Sequence, residues 1–270
     1  MADVLRYAAF TTDPAGGNPA GVVLDAGGLD DDTMQAIAAE VGYSETAFVT
    51  GEGAVRPVRY FSPKAEVPFC GHATVATAVA LAERIGPGEI VFDTKAGRVP
   101  VVVDEELRAT LTSVEPHVEA ADLADVLDIL RWSPDDLDPE LPPRVGYAGA
   151  RHLVLGTATR QRLADLDYDF DRLLAYMLER DLTTLQLVWR ESPTVYHVRD
   201  PFPVGGVVED PATGAAAAAF GAYLRELGLA QPTITLHQGH DLGRPSLITV
   251  ELRPDDPRIR VSGHAVPIAS

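Results

Sequence analysis

The sequence predicts a mixed α/β fold built from two similar halves. Short apolar strand segments alternate with a few helices along the 270 residues, and two of the helices are rich in alanine. When the chain is shifted by roughly 140 residues, segment 46–85 falls on segment 185–224, which is far too long a period for a solenoid repeat. The pattern leaves one alternative open, namely two unrelated α+β domains of similar size.

The first half is predicted from alternating hydrophobicity and from helix end signals. Acidic residues Asp30–Asp32 precede a helix that stops at Gly42, since carboxylates favour a helix N-terminus and glycine suits the left-handed position after its end. A second, alanine-rich helix is predicted over Gly71–Ile85. The predicted strands are Val4–Phe10, Gly21–Leu24, Thr46–Thr50, Val55–Phe61, Ile90–Asp93, Arg98–Val103 and Ala109–Ser113.

The second half repeats this pattern after a boundary near Pro116. Helices are predicted over Asp122–Leu130 and Asp169–Arg180, with a proline-rich loop over Ser133–Pro143. A second alanine-rich helix runs from about Thr213 to Gly228. The predicted strands are Val145–Ala148, His152–Leu155, Thr184–Trp189, Thr194–Arg199, Ile234–His237, Leu247–Leu252 and Ile259–Val261.

Composition excludes several classes of function. The net charge of −18 argues against binding to nucleic acid or to an anionic membrane, because both need clustered Lys and Arg. The single cysteine, Cys70, can form no internal disulfide and no multi-cysteine zinc site. We see no signal peptide, and the longest apolar run, Ala215–Ala222, is far shorter than the ~20 residues of a membrane span. A cytoplasmic, soluble protein is expected.

The two loop-to-helix junctions are the first candidates for a binding site. The first turn of a helix presents backbone N–H groups that have no partner inside the helix, and the helix dipole favours an anion there. Small side chains at these starts leave the backbone accessible, so two such junctions brought together would hold a small carboxylate. Helix starts of this kind are common, and a purely structural role is the alternative.

Three polar residues on or near these junctions are candidates for acid/base chemistry. Glu45 stands at the entry to an apolar strand, where it could also be a surface carboxylate or a loop cap. His72 precedes a helix and could cap it, and Asp210 could be an N-cap beside a solvated Glu209. If the halves pack face to face, the three candidates converge on one cleft. Two such groups can then remove a proton from a substrate and return it.

Five segments in this order resemble the phenazine-biosynthesis PhzF family, over residues Val4 to Val266. They are Gly17–Val23, Ser44–Val49, Pro68–Thr74, Glu209–Gly214, and Gln238-Gly239 followed by Gly243–Ser246. One segment would be a weak match, whereas five in the right order are specific.

The resemblance implies a fold like that of diaminopimelate epimerase. In that fold two pseudo-symmetric halves each wrap a sheet around a central helix, and the active site lies in the cleft between them. The halves would be residues 1–115 with 258–270, and residues 116–257. The epimerase uses one cysteine from each half, and the matching positions here are Cys70 and Asp210, so racemisation with two thiols is excluded. Cys70 is expected to be a small buried residue.

The resemblance also implies an isomerase of phenazine and antibiotic biosynthesis that acts on trans-2,3-dihydro-3-hydroxyanthranilate. Glu45 would remove a proton from C3 of the substrate and return it to C1 on the same face. His72 and Asp210 would hold the substrate and assist the proton transfer. No cofactor and no metal is implied, and a homodimer is expected by analogy. The residues expected to bind the substrate carboxylate are Gly71, Ala73, Thr213, Gly214 and Ala215.

One position departs from the family pattern. Phenazine enzymes typically have Gly-Ser where this chain has Gly214-Ala215, so a hydroxyl donor is missing at the helix start. The acid/base pair is untouched, whereas the identity of the substrate is open. Two other functions stay possible at this point. One is a binding or scaffold protein for small carboxylates without catalysis, and the other is an epimerase or racemase that uses Glu45 and Asp210 on opposite faces.

Overall fold

The computed structural model describes residues 2–269, which divide into two compact units. Unit 1 comprises residues 2–112 and 262–269, and unit 2 comprises Ser113–Val261. These bounds lie within a few residues of the two predicted halves. In the described residues, no helix is both long enough and apolar enough to cross a membrane.

Unit 1 consists of a mixed sheet and two helices. The helices are α1 (Asp31–Val41) and α2 (Gly71–Ile85). The strands are β1 (Leu5–Ala9), β2 (Asn18–Val23), β3 (Glu45–Val49), β4 (Val55–Phe61), β5 (Glu66–Val67), β6 (Gly88–Thr94), β7 (Gly97–Val103) and β8 (Arg108–Thr112).

Local signals explain both helices of unit 1. The Asp30 side chain accepts a hydrogen bond from the N–H of Thr33 (2.9 Å), and α1 ends at Gly42, whose φ of 71° is left-handed. Helix α2 has the predicted bounds at both ends and packs against β1, β2, β3, β7 and β8. Its alanines are buried, and their small side chains let the strands come close on all sides. The strands of unit 1 therefore surround a central helix.

Strand pairing in unit 1 places Glu45 at the start of an interior strand. Strand β2 pairs antiparallel with β1 and parallel with β3, so that Ala20 lies opposite Glu45. Strand β3 continues antiparallel into β4, which pairs parallel with β6. Strands β6, β7 and β8 then form an antiparallel meander. Because β3 has a partner on both sides, the backbone that carries Glu45 is fixed.

Unit 2 repeats the combination of strands and a buried alanine-rich helix. The helices are α3 (Val126–Ile129), α4 (Arg160–Ala164), α5 (Phe170–Glu179) and α6 (Gly214–Glu226). The strands are β9 (His117–Ala120), β10 (Arg144–Tyr147), β11 (Arg151–Gly156), β12 (Thr184–Ser192), β13 (Val195–Pro201), β14 (Glu209–Asp210), β15 (Thr233–Gln238) and β16 (Ser246–Arg253). The last strand, β17 (Asp256–Pro267), runs from unit 2 into unit 1, where it pairs with β1.

Helix α6 is the central helix of unit 2, as α2 is of unit 1. It packs against β9, β10, β11, β12 and β16, and its residues from Ala216 to Leu224 are buried. The predicted α/β fold with a sheet around a helix in each half is confirmed. Several local predictions were wrong, however. Helix α3 is shorter than the predicted Asp122–Leu130, the loop 133–143 contains a 3-10 turn at Pro134–Asp136, and β9 and α4 were not predicted.

Candidate active site

Glu45 is the first residue of β3 and its side chain is largely shielded from solvent, with 17% of its area exposed. One carboxylate oxygen, Oε2, lies 3.5 Å from Nε2 of His72. Glu45 is therefore neither a surface carboxylate nor a loop cap. Its side chain is held beside an imidazole on the central helix of the same unit.

His72 is the second residue of α2 and its imidazole is buried. The expectation that it precedes the helix and could cap it was wrong, since the N-cap position belongs to Cys70, which makes no side-chain cap hydrogen bond. Three polar groups surround the ring in addition to Glu45. Asn18 Nδ2 lies 3.2 Å from Nδ1, Cys70 Sγ lies 3.3 Å from Nδ1, and Ser44 Oγ lies 3.3 Å from Nε2.

These contacts favour one tautomer of His72. With the NH₂ group of the Asn18 amide oriented towards the ring, Nδ1 is the acceptor of this contact. The ring proton of the neutral imidazole is then on Nε2, which faces Glu45 and Ser44. With this tautomer the Nε2–H group points towards the carboxylate of Glu45.

Gly17 determines how Asn18 enters β2. Its φ is +64°, and a Cβ atom there would lie 2.4 Å from the carbonyl oxygen of Ala9. Any other residue would push β1 and β2 apart at this point. The Gly-Asn pair of the first motif therefore places a buried amide side chain against His72.

The first turn of α2 contains the predicted binding residues Gly71 and Ala73. The first hydrogen bond inside the helix runs from the N–H of Thr74 to the carbonyl of Cys70 (3.0 Å). The amides of Gly71, His72 and Ala73 precede it and have no partner within the helix, which is the arrangement that suits a bound carboxylate. Cys70 is buried, as predicted.

In unit 2, Asp210 belongs to a network of hydrogen bonds at the start of α6. The hydroxyl of Thr213 donates to Asp210 Oδ2 (2.6 Å), and the N–H of Thr213 donates to Gln238 Oε1 (3.0 Å). The amide of Gln238 in turn donates to the carbonyl of Asp210 (2.8 Å). The N-cap position of α6 is Thr213, so the alternative that Asp210 is the N-cap was wrong. Gly214 and Ala215 form the half-buried start of the helix that follows.

Gly239 allows this network to form. Its φ is +72°, and a Cβ atom there would lie 2.2 Å from the carbonyl oxygen of Arg244 and 2.8 Å from that of Pro211. Only glycine lets these two backbone segments pass so close to the end of β15. Gln238 therefore supplies the side-chain amide of the network, and Gly239 leaves room for the backbone of the turn that follows Asp210.

Two buried acidic residues lie next to Asp210. Glu209 was expected to be solvated, but its side chain is 1% exposed and pairs with Arg199 at 2.6 Å. The reason is the antiparallel register of β13 and β14, which brings these two residues together although they are ten positions apart. Asp200 lies opposite Asp210 in the same register. Complete burial, together with the charges of Asp210 and Glu209, raises the pKa of the Asp200 carboxyl well above its ordinary value.

The structure thus groups the predicted residues within each unit and adds others. Glu45 and His72 are in contact in unit 1, and Asp210 and Thr213 are in contact in unit 2. Four residues that contact them were not selected from the sequence. Three of these residues lie inside the family motifs, and that position could have identified them from the sequence. Asp200 lies outside every motif, and no sequence signal pointed to it. The four residues are Asn18, Ser44, Asp200 and Gln238.

Comparison with known proteins identifies the family. The family model described as "Phenazine biosynthesis-like protein", PhzC-PhzF, matches residues 7–270. A Bacillus subtilis (strain 168) protein described as an uncharacterized isomerase, YfhB, is 32% identical over 97% of this chain and 94% of its own length. The crystal structure of a PhzF-family phenazine biosynthesis protein from Bacillus anthracis superposes with a TM-score of 0.88 and 28% identity, covering 99% of this chain and 97% of that one.

A more distant structure shares the fold. A probable proline racemase from Agrobacterium radiobacter K84 has a TM-score of 0.68 over 98% of this chain and 91% of that chain, at 12% identity. This likeness concerns the fold alone and agrees with the diaminopimelate epimerase-like class predicted from the sequence. The motifs, the coverage and the relatives lead to one conclusion. The chain belongs to the PhzC-PhzF family of phenazine biosynthesis-like proteins, and its curated relatives from Bacillus subtilis and Escherichia coli are described as uncharacterized isomerases.

Proposed function

We propose that this protein is a cofactor-independent isomerase that moves a proton within a small carboxylic acid, with Glu45 as the general acid/base. The observation that carries the proposal is the contact between Glu45 and His72, 3.5 Å apart and largely buried. A shielded carboxylate beside an imidazole is a common arrangement for acid/base catalysis. A protein that only binds its ligand would have no need of such a pair.

The proposed step conserves protons. The Glu45 carboxylate removes a proton from a substrate carbon and becomes a carboxylic acid. It then delivers the same proton to another carbon on the same face, which regenerates the carboxylate. The Nε2–H of His72 hydrogen-bonds to Glu45 or to a substrate oxygen while charge develops, and Ser44 helps to orient the ring.

The helix starts and the family support the proposed substrate class, a small carboxylic acid. Backbone amides of the first turns are proposed to bind the substrate carboxylate, and Asp210 is proposed to assist in binding or proton transfer. The residues proposed for carboxylate binding are Gly71, Ala73, Thr213, Gly214 and Ala215. The first substrate to test is trans-2,3-dihydro-3-hydroxyanthranilate. Because Ala215 lacks the usual hydroxyl, a related acid is the next choice.

The decisive experiment replaces the carboxylate of Glu45 by an amide and measures turnover in D₂O. The purified protein is incubated in D₂O with trans-2,3-dihydro-3-hydroxyanthranilate and a panel of amino and hydroxy acids, and the conversion of each acid is followed by chromatography with mass spectrometry. The deuterium content of the product then shows whether the proton held by Glu45 exchanges with solvent before it is returned. Glu45→Gln is expected to abolish turnover of any acid that the wild type converts, while its far-UV CD and melting temperature stay close to those of the wild type. Unchanged turnover in Glu45→Gln would contradict the proposal.

Glu66→Gln provides the matched control. Glu66 lies in the same unit with 15% of its side chain exposed, and its partners are Arg59 and Lys95. Loss of that ion pair is expected to change stability slightly and to leave turnover intact. A loss of turnover in both variants would indicate a general effect of removing charge and not a catalytic role of Glu45.

An epimerase is the second candidate function. A related structure from Pseudomonas aeruginosa, 27% identical, is described as a predicted epimerase. In this chain an epimerase would use Glu45 and Asp210 on opposite faces of a stereocentre. Chiral analysis of the product separates the candidates, since an epimerase inverts a stereocentre and the same-face isomerase moves a double bond.

A further inference from the structure

We propose that Asp200 is a positioning residue that shares one proton with Asp210 through the hydroxyl of Thr213, so that Asp210 can act as an acid or as a base without contact with bulk water. The three residues lie in unit 2, where β13 and β14 meet the start of α6. The shared proton is argued from the geometry of these residues. Its role in turnover rests on the proposed function, in which Asp210 assists proton transfer.

Strand pairing brings the carboxyl groups of Asp200 and Asp210 to the same place. Strands β13 and β14 are antiparallel, and Asp200 lies directly opposite Asp210. The side chains of directly opposite residues project from the same face of a sheet, with Cβ atoms about 4.5–5.5 Å apart. Because two negative charges at such a separation repel each other, the pair favours a state in which one carboxyl group keeps a proton.

Asp200 is the member of the pair that keeps the proton. Its side chain is fully buried, and in the described residues neither of its carboxyl oxygens has a hydrogen bond of good geometry. Burial therefore raises the pKa of the Asp200 carboxyl well above its ordinary value. Asp210 is 8% exposed and accepts a hydrogen bond of 2.6 Å from the Thr213 hydroxyl, which suits a carboxylate.

The hydroxyl of Thr213 can join the two carboxyl groups. A hydroxyl has one hydrogen to donate and two lone pairs that accept. Its hydrogen goes to Asp210 Oδ2, and one lone pair accepts from the Gln238 amide at 3.0 Å. The same hydroxyl is close enough to Asp200 to interact with its carboxyl group. The second lone pair can therefore accept from the O–H of a protonated Asp200.

A proton can move along this chain without a net change in Thr213. The Asp200 carboxylic acid gives its proton to Thr213 Oγ, and the hydroxyl gives its own hydrogen to Asp210 Oδ2. Asp200 is then a carboxylate that accepts from the new O–H of Thr213, and Asp210 is a carboxylic acid. The reverse movement restores the starting state after Asp210 has taken up a proton, so the step conserves protons in both directions.

The other neighbours of Asp200 do not compete for this proton. The charged groups that act on Asp200 are Asp210 and Glu209. Glu209 pairs with Arg199 at 2.6 Å, so its charge is balanced. On the other side of β13, the pairing of Leu187 with Arg199 places Gln186 beside Asp200. An amide stays neutral and can accept from a carboxylic acid or donate to a carboxylate.

The experiment follows the aspartate side-chain carboxyl groups by ¹³C NMR while the pH is varied, and it needs no substrate. The wild type is expected to show the signal of a protonated carboxyl group at neutral pH, and Asp200→Asn should lack it. In Asp210→Asn the midpoint of this signal should fall by at least about one pH unit, because the neighbouring charge is gone. The control is Asp241→Asn, which removes a carboxylate paired with Arg160 in the same unit and should leave the midpoint unchanged.

Kinetics test the role in turnover on any acid that the wild type converts. As the pH rises through the midpoint, the pair loses the shared proton, so kcat of the wild type should fall. Asp200→Asn has no proton to share, so kcat should be about tenfold lower and this alkaline fall should be absent. Thr213→Ser keeps the hydroxyl and should keep the alkaline fall, whereas Thr213→Val should lose it. Asp241→Asn should match the wild type.

The NMR and kinetic results answer separate questions. A wild-type spectrum without a protonated carboxyl signal at neutral pH, or a midpoint unchanged in a folded Asp210→Asn, would overturn the proposal and leave Asp200 a structural residue. If either asparagine variant does not fold, serine takes its place with the same criteria. If no acid is converted, the proposed function fails and the NMR result still decides whether the proton is shared. An unchanged pH profile of kcat in Asp200→Asn would refute the role in turnover.

Discussion

Helices α2 and α6 begin alike and differ in the side chains around their first turns. Each follows an N-cap residue, Cys70 or Thr213, whose side chain makes no capping hydrogen bond. Around α2 the neighbours are groups that can gain or lose a proton, with Glu45 and His72 3.5 Å apart. Around α6 the Thr213 hydroxyl and the Gln238 amide donate to Asp210 at 2.6 and 2.8 Å, and Gln238 and Thr213 bond each other at 3.0 Å.

This difference predicts that the starts of α2 and α6 have different roles. The groups at the start of α2 share longer contacts, of 3.2 to 3.5 Å, and include a histidine and a carboxylate that can exchange protons. The groups at the start of α6 hold each other at short distances, so removing one leaves buried partners unsatisfied. We therefore expect substitutions at α2 to affect turnover first and substitutions at α6 to affect stability first.

Among variants that keep Glu45, the largest effect is expected from His72→Gln. Loss of an acid/base partner typically lowers the rate by about 10²- to 10⁴-fold, while glutamine preserves most of the volume. Steady-state kinetics and a thermal melt measure the two effects. The control is His152→Gln in unit 2, where a fully buried histidine pairs with Thr184 at 2.8 Å. This control should lose stability and keep its turnover. Loss of turnover in His152→Gln, with turnover retained in His72→Gln, would contradict the prediction.

The next largest effect is expected on stability from Gln238→Leu. The fully buried amide of Gln238 accepts from Thr213 N–H and donates to Asp210 and to the Thr213 hydroxyl. Leucine leaves these partners unsatisfied, at a cost of about 2–4 kcal/mol in the free energy of unfolding. Urea titration measures it. Gln161→Leu removes an exposed amide and should change stability by less than about 0.5 kcal/mol. Equal losses in the two variants would refute the prediction.

A pH-dependent effect is expected from Asp200. Its pKa is raised in the folded chain, so the folded state holds a proton that the unfolded chain releases above its ordinary pKa of 3.8. This contribution to stability is fully present below pH 3.8 and is lost as the pH rises through the raised folded value, with a slope of about 1.4 kcal/mol per unit. Asp200→Asn should remove this fall in the free energy of unfolding with rising pH. Urea unfolding across the pH range tests it, and parallel curves would contradict the assignment.

The smallest effect is expected from Ser44→Ala. The contact of Ser44 Oγ with His72 Nε2 is long, at 3.3 Å, and Glu45 contacts the same nitrogen. We expect turnover to fall less than about tenfold and stability to change by less than about 1 kcal/mol. Separate kcat and KM values measure it, with Ser62→Ala, which removes a half-buried hydroxyl of the same unit, as the control. A loss as large as that of His72→Gln would give Ser44 a direct part in the chemistry.

The sequence predicted what local signals determine and missed what tertiary partners determine. The bounds Gly71–Ile85 were predicted because loops and glycines mark both ends, and Gly42 ended α1 as expected. Glu209 was misjudged because its partner Arg199 is apparent only once β13 and β14 pair. The role of Asn18 depends on a contact over 54 residues, and no local pattern reveals such a contact.

The burial of α2 also limits how this protein can be altered. The side chains from His72 to Ala82 are buried along the whole stretch, so a larger residue there would meet a surrounding strand. Directed-evolution libraries aimed at new substrates are therefore best placed outside the buried stretch of α2. The partly exposed first-turn positions, Gly71 in one unit and Ala215 in the other, can accept new side chains without disturbing the packing that keeps the histidine in place.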